Sequence, residues 1–218
     1  RDAQESRGLG DVYKRQKEQT SETAKWTKFD SNTYQKVKDE IEKRNSEEDE
    51  SLHVKYVIPK AGSKIYLGQA QITFYGPLEN NYKYGRQVDL NVRQENKYSI
   101  VTRIVYGKNS FLMTGDAQRE TIEKIIKKGY NLQAQVLKEP HHGYQDVKEK
   151  DKLIAGRTSD HKLLIDHTKA NIAVISNGYK NTGEVPMKNV LTDLSKMDIY
   201  ETGNRGTIVI TSDGSHLY

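Results

Sequence analysis

Two apolar runs separated by one helical segment each end in residues that can bind a metal, and this arrangement constrains the chain more than any other feature. Phe111-Leu112-Met113-Thr114 runs into Gly115-Asp116. Ala134-Gln135-Val136-Leu137 runs, through Lys138-Glu139, into Pro140-His141-His142-Gly143. Between them, residues 117–128 place Ile122, Ile125 and Ile126 on one helical face, pair Glu120 with Lys124 at i,i+4, and stop at Gly129. Two strands joined by a helical crossover bring their ends to one edge of a sheet. Open α/β sheets bind ligands at that edge, and carboxylate and imidazole are common metal donors.

The rest of the pattern repeats this logic. Asp30 and Ser31 are good N-cap residues, and Tyr34, Val37 and Ile41 behind them predict a helix of about three turns. Short strands are expected at 54–58, 65–67 and 71–75, the last ended by Gly76-Pro77. Residues 80–96 are polar and Tyr-rich and read as a long loop. Residues 98–106 and 110–114 read as strands around the turn Gly107-Lys108-Asn109. A helix at 161–167, a fully buried strand at Ile172–Ile175, a helix at 185–194 and final strands at 199–201 and 207–211 complete the series. Hairpins mixed with β-α-β crossovers predict an α/β fold.

Composition narrows the class. The chain has 218 residues, enough for one domain or slightly more. No apolar stretch reaches the roughly 18 residues of a membrane span. There is no cysteine, so disulfides and thiolate ligands are excluded and any metal must be held by His, Asp or Glu. The net charge of +5 suits either a polyanionic substrate or an ordinary Lys-rich solvated surface. Residues 1–16 show no periodicity and resemble translated adapter sequence or a disordered tail, and 17–28 reads as a linker. The folded domain is expected over 29–218, with its N-terminal part truncated.

Asp116 has two compatible readings: it caps the helix that follows at once, or it ligates a metal at the strand tip. Gly115 before it permits close backbone approach or an unusual φ. His141 and His142, if extended, point to opposite sides, so that one faces a metal while the other supports it or faces substrate. His53, His161, His167 and His216 lack ligand spacing and read as surface residues. Asp89, Asn91, Asn96 and Ser99 read as members of a solvated loop that also has the chemistry to line a cleft. Gly203-Asn204-Arg205-Gly206 is a turn without the length or Lys of a phosphate-binding loop. No Ser, His and Asp grouping suggests acyl transfer.

The chain from Asn96 to His142 resembles the metallo-β-lactamase superfamily, and more narrowly the hydrolase domain of ComEC-type DNA-uptake (competence) proteins and their stand-alone relatives. Five segments carry the likeness: Tyr98-Ser99-Ile100-Val101; Ser110-Phe111-Leu112-Met113-Thr114-Gly115-Asp116-Ala117; Val136-Leu137-Lys138-Glu139-Pro140-His141-His142-Gly143; and, downstream, Ala173-Val174-Ile175-Ser176 and Gly206-Thr207-Ile208-Val209-Ile210-Thr211-Ser212-Asp213-Gly214. The resemblance implies an αββα sandwich and a phosphodiesterase- or nuclease-like hydrolase. It implies two divalent metals, zinc or manganese, bridged by Asp116 and completed by a histidine of the Pro-His-His-Gly motif. Position in that motif favours His142, with His141 the alternative. A metal-bound hydroxide would be the nucleophile. DNA or another phosphodiester is the implied substrate, and an extracellular or membrane-associated location the implied site.

Two departures matter. The family's His-x-His-x-Asp-His motif is absent, so the sandwich is expected to be incomplete, with N-terminal strands and half the ligand set missing. In Asn181-Thr182-Gly183-Glu184-Val185-Pro186, Glu184 stands where relatives often carry His. The expectation is therefore a chain that binds metal weakly and is inactive as it stands. The alternative is a non-catalytic α/β binding module that keeps the sandwich without metals.

Overall fold

The computed structural model describes residues 31–54, 59–78, 96, 99–144, 160–178 and 185–218. The expected strand at 54–58 and the loop at 80–96 fall largely outside them, as do Asp89, Asn91 and Glu184. The described elements are helix α1 (Ser31–Asn45), strands β1 (Lys64–Leu67), β2 (Ala70–Gly76), β3 (Val101–Tyr106) and β4 (Asn109–Met113), helix α2 (Arg119–Lys127), strand β5 (Val136–Lys138), helix α3 (Asp160–Thr168), strand β6 (Ile172–Ile175), helix α4 (Lys188–Asp193), strand β7 (Asp198–Glu201) and the short helix α5 (Thr202–Arg205). No described helix is long and apolar enough to cross a membrane.

The strands form one seven-stranded mixed sheet in sequence order, confirming the α/β class. β1 to β4 are antiparallel, and β4 to β7 are parallel. The change of direction follows from the connections. A tight turn can only return a strand antiparallel, whereas the helical segments after β4 and β6 carry the chain back for a parallel strand.

Register sorts the sheet's two faces. Leu112, Leu137, Ala173 and Ile199 align across β4 to β7. Ile122 and Ile125 of α2 and Leu164 of α3 share a buried cluster with Leu112 and Leu137. Val190 of α4 and Leu194 share a second with Ala173 and Ile175, and Ile165 packs against both clusters. On the opposite face, Ile65, Ile72, Ile104, Phe111, Val136 and Ile172 form one row across β1 to β6. The antiparallel strands thus turn Thr73 and Arg103 toward the helix side and aliphatic residues away from it. Val136 is buried in that row, while Ile65 is exposed. A sheet with apolar residues on both faces is the kind that takes a layer on each side.

Several boundaries shift. α1 runs for 15 residues, longer than expected. The strand expected from residue 98 begins at Val101, because Ser99 is taken into a turn in which its N–H donates to the Asn96 carbonyl at 3.1 Å. The helix expected over 185–194 begins at Lys188, after Pro186. The expected turn at 203–206 is the helix α5, closed by Gly206 at φ 74°. The strand expected at 207–211 does not join the sheet. The C-terminal segment instead forms a small hairpin, with Ser212 bridged to Leu217. The buried Asn109 Nδ2 holds that hairpin, donating to Ser212 Oγ and the His216 carbonyl, each at 2.7 Å.

Candidate metal centre

The strand tips of β4 and β5 are tied to each other before any functional side chain is placed. Thr114 Oγ1 donates to the Lys138 carbonyl at 2.6 Å. The Gly115 carbonyl accepts from Lys138 Nζ and from the His141 N–H, both at 3.1 Å. Gly115 has φ 56°, and a Cβ there would lie 3.2 Å from Ser99 Cβ, so a side chain would be both strained and crowded. Next to it, the Asp116 N–H donates to Ser99 Oγ at 3.0 Å. Asp116 is not the N-cap of α2; that position belongs to Gln118, and Asp116 sits in the turn before it.

The histidine pair is not extended, contrary to expectation. His141 (φ 50°, ψ 39°) and His142 (φ 59°, ψ 20°) both adopt left-handed backbone, followed by Gly143 at φ 75°. Such positions cost roughly 1–2 kcal/mol each for a residue with a Cβ, and clustered strain of this kind is characteristic of functional sites. Surrounding contacts hold it in place. The Met187 N–H donates to the Gly143 carbonyl at 3.0 Å. A Cβ on Gly143 would stand 2.7 Å from Pro186 Cβ, which packs the turn against the segment leading into α4.

The left-handed turn separates the two rings. His142 Nε2 faces Asp116 Oδ1 at 3.7 Å, and both side chains are largely buried. The other ring nitrogen, Nδ1, lies 2.6 Å from the Ser176 carbonyl and 3.2 Å from Ser176 Oγ. A carbonyl only accepts, so Nδ1 carries a proton. In the neutral ring Nε2 then presents a lone pair toward the carboxylate. His141 turns elsewhere: its Nε2 is 3.2 Å from Asn96 Nδ2, and its ring meets Tyr144 edge-on at 5.2 Å.

Of the expected site residues, Asp116 and His142 are therefore brought together, and His141 is held beside them by Asn96. His53, His167 and His216 are exposed, as expected. Asn96 and Ser99 correct the solvated-loop reading: they are 5% and 0% exposed and hold His141 and the Asp116 backbone. In the sequence Ser176 stands only within the segment Ala173-Val174-Ile175-Ser176 and has no role of its own. Its signal was available, since it is the first residue after the apolar run of β6, the next parallel strand, whose end must lie on the same edge. Among the described residues, no group of three or more His, Cys, Asp or Glu is arranged to hold a metal ion.

No protein-family model and no curated protein matches the chain.

Proposed function

We propose that this chain is part of a metal-dependent hydrolase of the metallo-β-lactamase type, acting on phosphodiesters such as DNA, with Asp116 and His142 among its metal ligands. One observation carries the reading. A carboxylate oxygen and an imidazole nitrogen whose other side is capped by a carbonyl converge to 3.7 Å at the ends of adjacent parallel strands. Two lone-pair donors turned on one space suit a cation, and a carbonyl behind the ring is the usual support of a ligating histidine. The apolar row on the face away from the helices agrees with a sandwich, in which that face takes a second layer.

A divalent cation in such a site acidifies bound water and offsets the charge that develops on a phosphoryl oxygen. This chain's own residues have separate tasks. Asp116 and His142 hold the cation. Ser99 and Gly115 fix the backbone beneath Asp116. Lys138, bonded to the Gly115 carbonyl, adds positive charge near the carboxylate, and the net charge of +5 favours a polyanion. His141, oriented by Asn96, stands where it can meet substrate. Two donors leave most coordination positions to other ligands or water, so weak binding is expected.

The test is calorimetric titration with Zn²⁺ or Mn²⁺, beside a phosphodiester hydrolysis assay. Binding that is weaker than micromolar in the chain and lost in Asp116→Ala and His142→Ala supports the reading. Binding that survives both substitutions removes these residues from the site. The absence of a third donor among the described residues favours one other reading, a non-catalytic α/β module without metals. That reading expects no heat of metal binding at all.

A further inference from the structure

The segment behind His142 is closed by a compact polar clasp that the metal reading leaves unexplained. It joins the ends of β6 and β7 just beyond the last paired residues, Ile175 and Glu201. Asn177, 7% exposed, makes four bonds there. Its N–H donates to Thr202 Oγ1 at 2.8 Å, and the same hydroxyl donates to the Asn177 carbonyl at 2.7 Å. Its Nδ2 donates to Glu201 Oε2 at 2.9 Å, and its Oδ1 accepts from the Gly203 N–H at 2.8 Å. Gly203 is pressed into this clasp: a Cβ on it would lie 2.6 Å from the Gly178 carbonyl oxygen and 3.0 Å from Asn177 Oδ1.

The clasp brackets a single residue. Ser176 lies between Ile175, held in the sheet, and Asn177, held by four hydrogen bonds. Its peptide has little freedom to rotate, and its carbonyl is the group 2.6 Å from His142 Nδ1. We propose that Asn177 is a positioning residue: through its clasp with Glu201, Thr202 and Gly203 it aims the Ser176 carbonyl, and this locks His142 as the Nδ1–H tautomer with Nε2 directed at Asp116. A histidine in left-handed backbone without that partner would be released to the Nε2–H form that free imidazole side chains favour in water. The consequence for metal affinity rests on the function proposed above, whereas the tautomer lock does not.

The experiment is long-range ¹H–¹⁵N correlation spectroscopy of the histidine rings in the metal-free chain. It is recorded at several pH values up to about 9, and the tautomer is read where the ring ¹⁵N shifts no longer change with pH. His142 in the unmodified chain is expected as Nδ1–H; finding it as Nε2–H overturns the proposal directly, whatever the variants do. In Asn177→Ala and, independently, Thr202→Val, the His142 signals are expected to move toward a tautomer mixture, while His53, which lies outside the clasp, is unchanged. A folded variant of either kind that keeps the pure Nδ1–H signature also overturns it. Where the unmodified chain binds Zn²⁺, each variant is expected to weaken that affinity about tenfold, the usual effect of losing an outer-shell support. If the unmodified chain binds no Zn²⁺ but shows the tautomer shift, the positioning role stands and the metal reading fails.

Discussion

His142 Nε2 stands 3.7 Å from Asp116 Oδ1 because a left-handed turn, not an extended strand, carries the histidine. In extended backbone the two rings would point to opposite sides of the chain. With both φ angles positive they diverge to different partners instead, His142 to Asp116 and Ser176, His141 to Asn96.

That division predicts unequal roles for two adjacent histidines. His142→Ala is expected to weaken Zn²⁺ binding by about tenfold or more, since a contact to a charged group is worth ~1.5–3 kcal/mol. His141→Ala, which removes a ring turned to Asn96 and Tyr144 and away from Asp116, should leave Zn²⁺ affinity within about threefold. Parallel calorimetric titrations check the pair; equal losses would refute the division.

The same turn makes Gly143 a demanding position. Gly143→Ala must place a side chain at φ 75° and within 2.7 Å of Pro186 Cβ. A cost of at least ~1–2 kcal/mol is expected from the backbone alone. Urea denaturation measures it, and a variant as stable as the parent would show that the turn relaxes freely.

The C-terminal hairpin should be acid-sensitive. The Asp213 carboxyl is held well below the usual carboxylate range, first by the His216 N–H and then by the Ser215 N–H, with the Tyr218 hydroxyl adding to them. A depressed folded-state pKa stabilises the hairpin above the unfolded value of about 3.9, and that contribution is lost as pH falls below it. Amide protection factors at residues 212–218, taken relative to the intrinsic exchange rate at each pH, should therefore fall on acidification below pH ~4. In Asp213→Asn, which has no proton to gain, the dependence should vanish.

The apolar row on the outward sheet face predicts self-association. Leu67 and Ile65 lie at its edge, 75% and 44% exposed. Ile65→Lys together with Leu67→Lys should shift sedimentation toward the monomer, because charged residues on an edge strand oppose pairing with another copy. A parent chain that already sediments as a sharp monomer would contradict the prediction.

Much of the fold was legible because burial writes itself into sequence with a fixed period. The apolar run Ile172–Ile175 is a strand with the expected bounds, and Ile122 and Ile125 face the core as their spacing requires. The strand expected at 207–211 failed because β-branched residues there report propensity, not a partner. Asn109 draws the hairpin that follows to its own side chain instead. From sequence Asn96 and Ser99 read as solvated, since a polar residue in a loop looks the same whether water or a neighbouring residue is its hydrogen-bond partner.

The sequence alone determined the crossover from β4 to β5 and hence that Asp116 and the histidine pair would share one sheet edge, because strand direction and connection length follow from local patterning. Which histidine meets Asp116, which nitrogen it presents, and that Ser176 and Asn177 stand behind it were decided by tertiary structure. Those depend on left-handed backbone held by Gly115, Pro186 and Ser176, contacts between segments distant in the chain that no local pattern encodes.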